Sequence, residues 1–127
     1  PVLAAIGNAV LDVIEAEDLP ANARRVGHQI LVGAVELSTR HEIVGDARGL
    51  GLYLGIELVR DRDTLEPADR EASYVVERCK ELGVLVSIDG PFHNVLKIKP
   101  PIVWSSADAD RLLTTLDRVL SEQNLRR

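Results

Sequence analysis

Apolar residues recur along this chain at two periods. From Pro1 to Glu17, Val2, Leu3, Ala5, Ile6, Ala9, Val10, Val13 and Ile14 are spaced by three and four, which predicts an amphipathic helix with proline in its first turn. Leu11 and Ala16 widen the stripe, so this helix is expected to pack on more than its own neighbours. Leu19-Pro20 reads as a break. A second helix is expected from near Asn22 to Ser38–His41, carrying Ala23, Val26, Ile30, Ala34 and Leu37 on one side. Further on, Ala68, Ala72, Val75, Cys79 and Leu82 repeat four, three, four, three, and Gly83 stands where a helix C-cap belongs. Ser105-x-x-Asp108 reads as a capping box opening a last helix through Ala109, Leu112, Leu116, Val119 and Leu120, with Leu125 to Arg127 expected to fray.

Between these helices the period falls to two. Gly45 to Arg62 reads GDARGLGLYLGIELVRDR, a glycine-rich turn feeding a central strand. From Leu50, one face takes Leu50, Leu52, Leu54, Ile56 and Leu58, and the other takes Gly51, Tyr53, Gly55, Glu57 and Val59. Glycine weakens a strand, so Gly51 and Gly55 mark a bulge, tight packing, or a close approach by another backbone or a ligand. Gly49-x-Gly51 precedes a strand instead of opening a helix, so it is not a dinucleotide fingerprint. Asp61 to Pro67 is a polar connection, Val84 to Ile88 a short aliphatic strand, Asp89-Gly90-Pro91 a turn, and Val95 to Lys99 a strand stopped by Pro100-Pro101. In that last strand Leu96 and Ile98 share the core face, while Val95, Lys97 and Lys99 share the other. The order of elements predicts an α+β domain: a small, mainly antiparallel sheet with helices covering one face and glycine and lysine on the other.

Composition narrows the chemistry. The chain has 127 residues, 46% hydrophobic and 28% charged, which suits one globular domain. A net charge of -5 argues against nucleic acid and anionic membrane as partners, since both need concentrated basic surface. No apolar run reaches membrane-spanning length. The one cysteine, Cys79, lies on a buried stripe and reads as a small hydrophobe in a reducing compartment, taken as the cytoplasm. His28, His41 and His93 lack metal-ligand spacing, so no metal site is expected, and no catalytic constellation emerges from the residues themselves. A start at Pro1 with no methionine suggests a piece of a longer protein.

The succession VLDVIE (Val10 to Glu15), GDARGLGLYLGIELVRDR and NVLKIKPPIV (Asn94 to Val103) resembles the C-terminal part of class III pyridoxal-phosphate aminotransferases. It is most similar to the branch of ethanolamine-phosphate and phosphohydroxylysine phospho-lyases, through DGP at Asp89 to Pro91 and the lysine-bearing NVLKIKPP. The resemblance covers nearly the whole chain. It implies a class III C-terminal domain over 1–127, with 1–17 a connecting helix at the large-domain boundary and 18–127 the α+β body. It implies pyridoxal 5'-phosphate bound mainly by a large domain on a lysine outside this chain, a homodimer, and a substrate that is a small amino acid or a phosphorylated amine. Gly45, Arg48, Gly49, Gly51 and Gly55 then form the structural turn and strand. Lys97 stands where many relatives carry an arginine for the substrate carboxylate, and Lys99 shares its face, so both are candidate substrate contacts as well as candidate solvated strand residues. The resemblance further implies that this part positions substrate and closes the cleft, and is inactive alone. Two alternatives stand beside it: a free-standing ligand-binding or regulatory α+β module, and a structural or oligomerisation domain.

Overall fold

The computed structural model describes residues 1–125. The elements are α1 (Val2–Ala16), α2 (Leu19–Arg40), β1 (Val44–Leu50), β2 (Tyr53–Asp61), β3 (Glu66–Pro67), α3 (Asp69–Glu81), β4 (Ser87–Asp89), β5 (Val95–Ile98), α4 (Ser106–Leu120) and a 3-10 turn at Gln123–Leu125. The sheet runs β1-β2-β5-β4 with every neighbour antiparallel, and β3 pairs with β2. The fold is α+β, and the core forms where the buried stripes of α2, α3 and α4 meet the inner face of the sheet.

On that inner face the period-two reading holds for Leu54, Ile56, Leu58, Leu96 and Ile98, all buried. It fails at Leu50, which is 85% exposed. The glycine-rich segment is a strand in its own right, and the chain reverses at Gly51-Leu52, so that Leu50 pairs with Tyr53. Cross-strand partners share a face. Leu50 therefore points outward with Tyr53, while Leu52 is buried from the turn. Gly51, at φ +54, supplies the left-handed backbone this reversal uses.

Other boundaries shift for local reasons. The break after α1 comes at Asp18, which is left-handed (φ 46, ψ 47), so Leu19 already belongs to α2 and Pro20 takes a first-turn place where its missing N–H costs nothing. Helix α3 ends as expected, with Gly83 at φ +79. The Gly83 N–H donates to Lys80 O and the Val84 N–H to Cys79 O, a Schellman closure. That closure uses the Val84 N–H, and the ladder begins only at Ser87, so the strand expected over Val84 to Ile88 shrinks to Ser87–Asp89. Strand β5 likewise stops at Ile98, leaving Lys99 just beyond it. The capping box is present: the Asp108 N–H donates to Ser105 Oγ at 3.3 Å, and the Ser105 N–H donates to Asp108 Oδ2 at 2.8 Å. Leu125, expected to fray, is buried against the core. Arg126 and Arg127 lie outside the described residues.

Helix α1 forms as the pattern predicts, yet none of its residues is buried. Val2, Leu3, Ile6, Val10, Leu11 and Val13 are all exposed.

Candidate functional site

The sheet's outer face is where the singled-out residues gather. Register places Arg48, Gly55, Lys97 and Ser87 in one row across β1, β2, β5 and β4, and Asp46, Glu57, Val95 and Asp89 in the next. Between them lies a depression of about 400 Å³ whose walls include Arg48, Tyr53, Asp89, Val95 and Lys97, with Gly55 among its lining residues.

The glycines of this segment divide by what a side chain would strike. A Cβ on Gly45 would sit 2.7 Å from Val59 Cγ2, and one on Gly49 would sit 2.3 Å from Tyr53 O, so both are packing positions. The turn at Gly51 is approached by α2, where a Cβ on Gly27 would lie 1.9 Å from Gly51 O. Gly27 is thus a structural glycine that periodicity does not reveal. Gly55 differs. Its backbone is not left-handed, and an added Cβ would meet only Val95 Cγ1, at 3.0 Å. There the missing side chain keeps the floor of the depression low.

Charge on this face is paired. The Arg48 guanidinium donates to Asp46 and to Glu57, at 2.5 and 2.7 Å, and the two carboxylates hold its pKa above the ordinary arginine value. Lys97 Nζ donates to Asp89 Oδ2 at 2.9 Å. That hydrogen bond raises the lysine and lowers the aspartate from their ordinary values. Lys99, exposed, stands 6.0 Å from the centroid of the Tyr53 ring, the outer limit of a cation–π contact. The face therefore brings Lys97 together with Arg48 across Gly55 and sets Lys99 at the border, beside Tyr53. The Pro100–Trp104 loop that follows is pinned to α2 by Asn22, whose side-chain amide donates to Ile102 O at 2.9 Å and Trp104 O at 3.0 Å. Asp89 and Asn22 escaped the sequence reading as site residues. Asp89 could have been found from its diagonal relation to Lys97, but only once the β4–β5 register is known.

The remaining candidates are structural. Cys79 is fully buried, and burial pushes its thiol up to about 11, which leaves it protonated and unreactive at neutral pH. His41 shares a hydrogen bond of 2.7 Å with Asp117 of α4, and His28 and His93 are exposed. Among the described residues no three His, Cys, Asp or Glu side chains group as metal ligands, and no helix is long and apolar enough to cross a membrane.

Pyridoxal phosphate on a Schiff base requires a lysine whose surroundings favour the neutral amine. The sequence has three lysines. Lys97 is shifted the opposite way by Asp89, Lys80 lies exposed on α3 beside Glu77 at 3.2 Å, and Lys99 is exposed. None fits the Schiff-base role, so what these residues can offer is recognition of charge on a ligand.

Comparison with known proteins bears on which ligand. The family model "Aminotransferase class-III" matches residues 1–120. Alanine–glyoxylate aminotransferase 2 homolog 2, mitochondrial, of Arabidopsis thaliana is 45% identical over 116 residues, covering 91% of this chain and 24% of that protein. Ethanolamine-phosphate phospho-lyase homolog 1 of Caenorhabditis elegans is 38% identical over 125 residues, covering 98% of this chain and 27% of that protein. Among solved structures, a phospholyase from Arthrobacter in complex with phosphoethanolamine superposes with a TM-score of 0.91 at 38% identity, over 96% of this chain and 29% of that one. The chain spans about a quarter of the length of the curated relatives it matches. With the family model matched over residues 1–120 and the fold shared with solved members at 36–38% identity, the chain belongs to the pyridoxal-phosphate-dependent class III aminotransferase family.

Proposed function

We propose that this chain is the small C-terminal domain of a class III enzyme, with 1–17 the connecting helix and 18–127 the body, and that its outer sheet face positions an anionic group of the substrate as the cleft closes. The observation that carries this is Lys97, standing at the wall of a depression that Gly55 keeps low. Lysine is a compact point charge without arginine's planar fork, which suits a phosphate as well as a carboxylate. Lys99 adds a second charge at the border. The substrate class we favour is a phosphorylated amine, in line with the phospho-lyase relatives. The cofactor, when bound, supplies the electron sink. This chain's residues bind and orient substrate and exclude water.

A second reading, transamination of an amino acid, is favoured by the 45% identity to an alanine–glyoxylate aminotransferase homolog. The exposed apolar stripe of α1 is the surface on which the large domain, or the mate in a homodimer, would pack. The buried thiol suits a reducing compartment such as the cytoplasm.

The experiment is an assay of the full-length enzyme with phosphoethanolamine and, separately, with alanine and glyoxylate. Elimination releases inorganic phosphate without consuming an amino acceptor, whereas transamination produces pyruvate and glycine. Phosphate release alone establishes the favoured reading, and pyruvate alone replaces it with the second. Neither product would sink both.

A further inference from the structure

Lys97 does not stand alone at the depression. Asp89 Oδ2 accepts from its ammonium at 2.9 Å, and Asp89 Oδ1 accepts from the Gly90 N–H at 2.8 Å. Gly90 is left-handed, φ +86, a conformation glycine adopts without strain, so the carboxylate is fixed by the backbone at the end of β4. The Lys97 side chain is 34% exposed and that of Asp89 55%, which leaves the pair open to a ligand. The other acids of this face, Asp46 and Glu57, are engaged with Arg48.

An ammonium carries three N–H donors, and Asp89 takes one. The other two are available for a ligand. A free lysine must give up much of its rotamer freedom to hold a substrate, whereas a tethered one has already done so. Arginine's rigid fork supplies this orientation by itself, and lysine needs a neighbour to supply it. Asp89 is more than half exposed, so the high dielectric of water weakens its repulsion of an anion held by Lys97.

We infer that Asp89 is a positioning residue of the substrate site, holding the Lys97 ammonium at the depression for the anionic group of the substrate. The inference rests on the reading that this face meets substrate, and the tests separate the two. Asp89→Asn keeps an oxygen for the Gly90 N–H and replaces the oxygen facing Lys97 with an amide that cannot accept, so the turn survives and the tether is lost. In the full-length enzyme, titrated calorimetrically with phosphoethanolamine and assayed for KM and kcat, Asp89→Asn is expected to weaken binding about three- to tenfold, through KM and with kcat nearly unchanged. Asp89→Glu, which restores a carboxylate one methylene further out, is expected to recover part of the loss. On a Lys97→Ala background Asp89→Asn should change nothing more. If phosphoethanolamine does not bind the wild type, the same variants are read with alanine, whose carboxylate takes the place of the phosphate. Unchanged or tighter binding in Asp89→Asn, with Lys97→Ala weakened, overturns the role of Asp89 and leaves the site standing. Unchanged binding in Lys97→Ala overturns the site itself.

Discussion

Leu96 and Lys97 are chain neighbours on opposite faces of one sheet, and they answer to different demands. The inner face holds Leu54, Ile56, Leu58, Leu96 and Ile98, each 5% exposed or less. The outer face holds Gly55, Glu57 and Lys97, all half-buried, beside the exposed Arg48 and Tyr53. Every inner side chain is required by the fold, since removing one leaves a cavity that the surroundings fill only in part. Nothing in the packing requires a lysine at 97 or a glycine at 55. Residues whose identity the fold does not demand are where a function is to be sought.

The largest expected effect breaks the inner face. Leu96→Ala should destabilise the chain by about 2 to 5 kcal/mol through lost burial and the cavity left behind. Chemical denaturation of wild type and variant measures it, and a loss well under 1 kcal/mol would contradict the account of Leu96 as a core residue.

Gly27→Ala comes next. In an exposed helix interior this change adds about 1 kcal/mol of stability. Here the new Cβ would lie 1.9 Å from Gly51 O, against backbone that cannot move without opening the β1–β2 turn. The sign should therefore reverse, with a loss of about 1 to 3 kcal/mol from overpacking. A stabilised Gly27→Ala would mean that α2 and the hairpin can separate at little cost.

On the outer face the expected loss is of function and not of stability. Lys97→Ala in the full-length enzyme should lower kcat/KM roughly tenfold to a hundredfold for the donor it acts on, the range for losing one charged contact to substrate. The denaturation midpoint should stay where it was. An unchanged efficiency for every donor returns Lys97 to the solvated surface.

The two faces also differ in how far they could be read from sequence. Alternation identified the inner set because burial enforces period two, and the stripes of α3 and α4, with Gly83 and the Ser105–Asp108 box, identified two helices and their ends. The hairpin was hidden because GLGLYLGI keeps its alternation through the reversal at Gly51-Leu52, so no change of period marks the turn. Pro20 was ambiguous because proline both stops a helix and suits the first turn of the next one. Val84 to Val86 have strand composition, but the Val84 N–H closes α3. On the outer face Lys97 and Gly55 were found singly. Their shared row with Arg48, and the tie from Lys97 to Asp89, depend on register across four strands, which local pattern does not encode.

Gly55→Ala carries the smallest expected effect and draws the sharpest line between the faces. Replacing glycine in a strand gains about 0.4 to 1 kcal/mol by restricting the unfolded chain, because the residue is not left-handed here and alanine adopts its conformation without strain. Against that gain stands the approach of the new Cβ to Val95 Cγ1 at 3.0 Å, which Val95 must relieve by shifting a few tenths of an ångström. Val95 is only half-buried, so that shift is cheap, and the net change in stability should lie between zero and a gain of about 0.5 kcal/mol. The same methyl raises the floor of the depression between Arg48 and Lys97. KM for the anionic donor should therefore rise in the full-length enzyme while the folded chain is no weaker. If KM and stability both stay level, Gly55 is a neutral glycine and the depression is not where substrate sits. If stability falls by more than about 1 kcal/mol, the outer face is packed as demandingly as the inner one, and the contrast between them is lost.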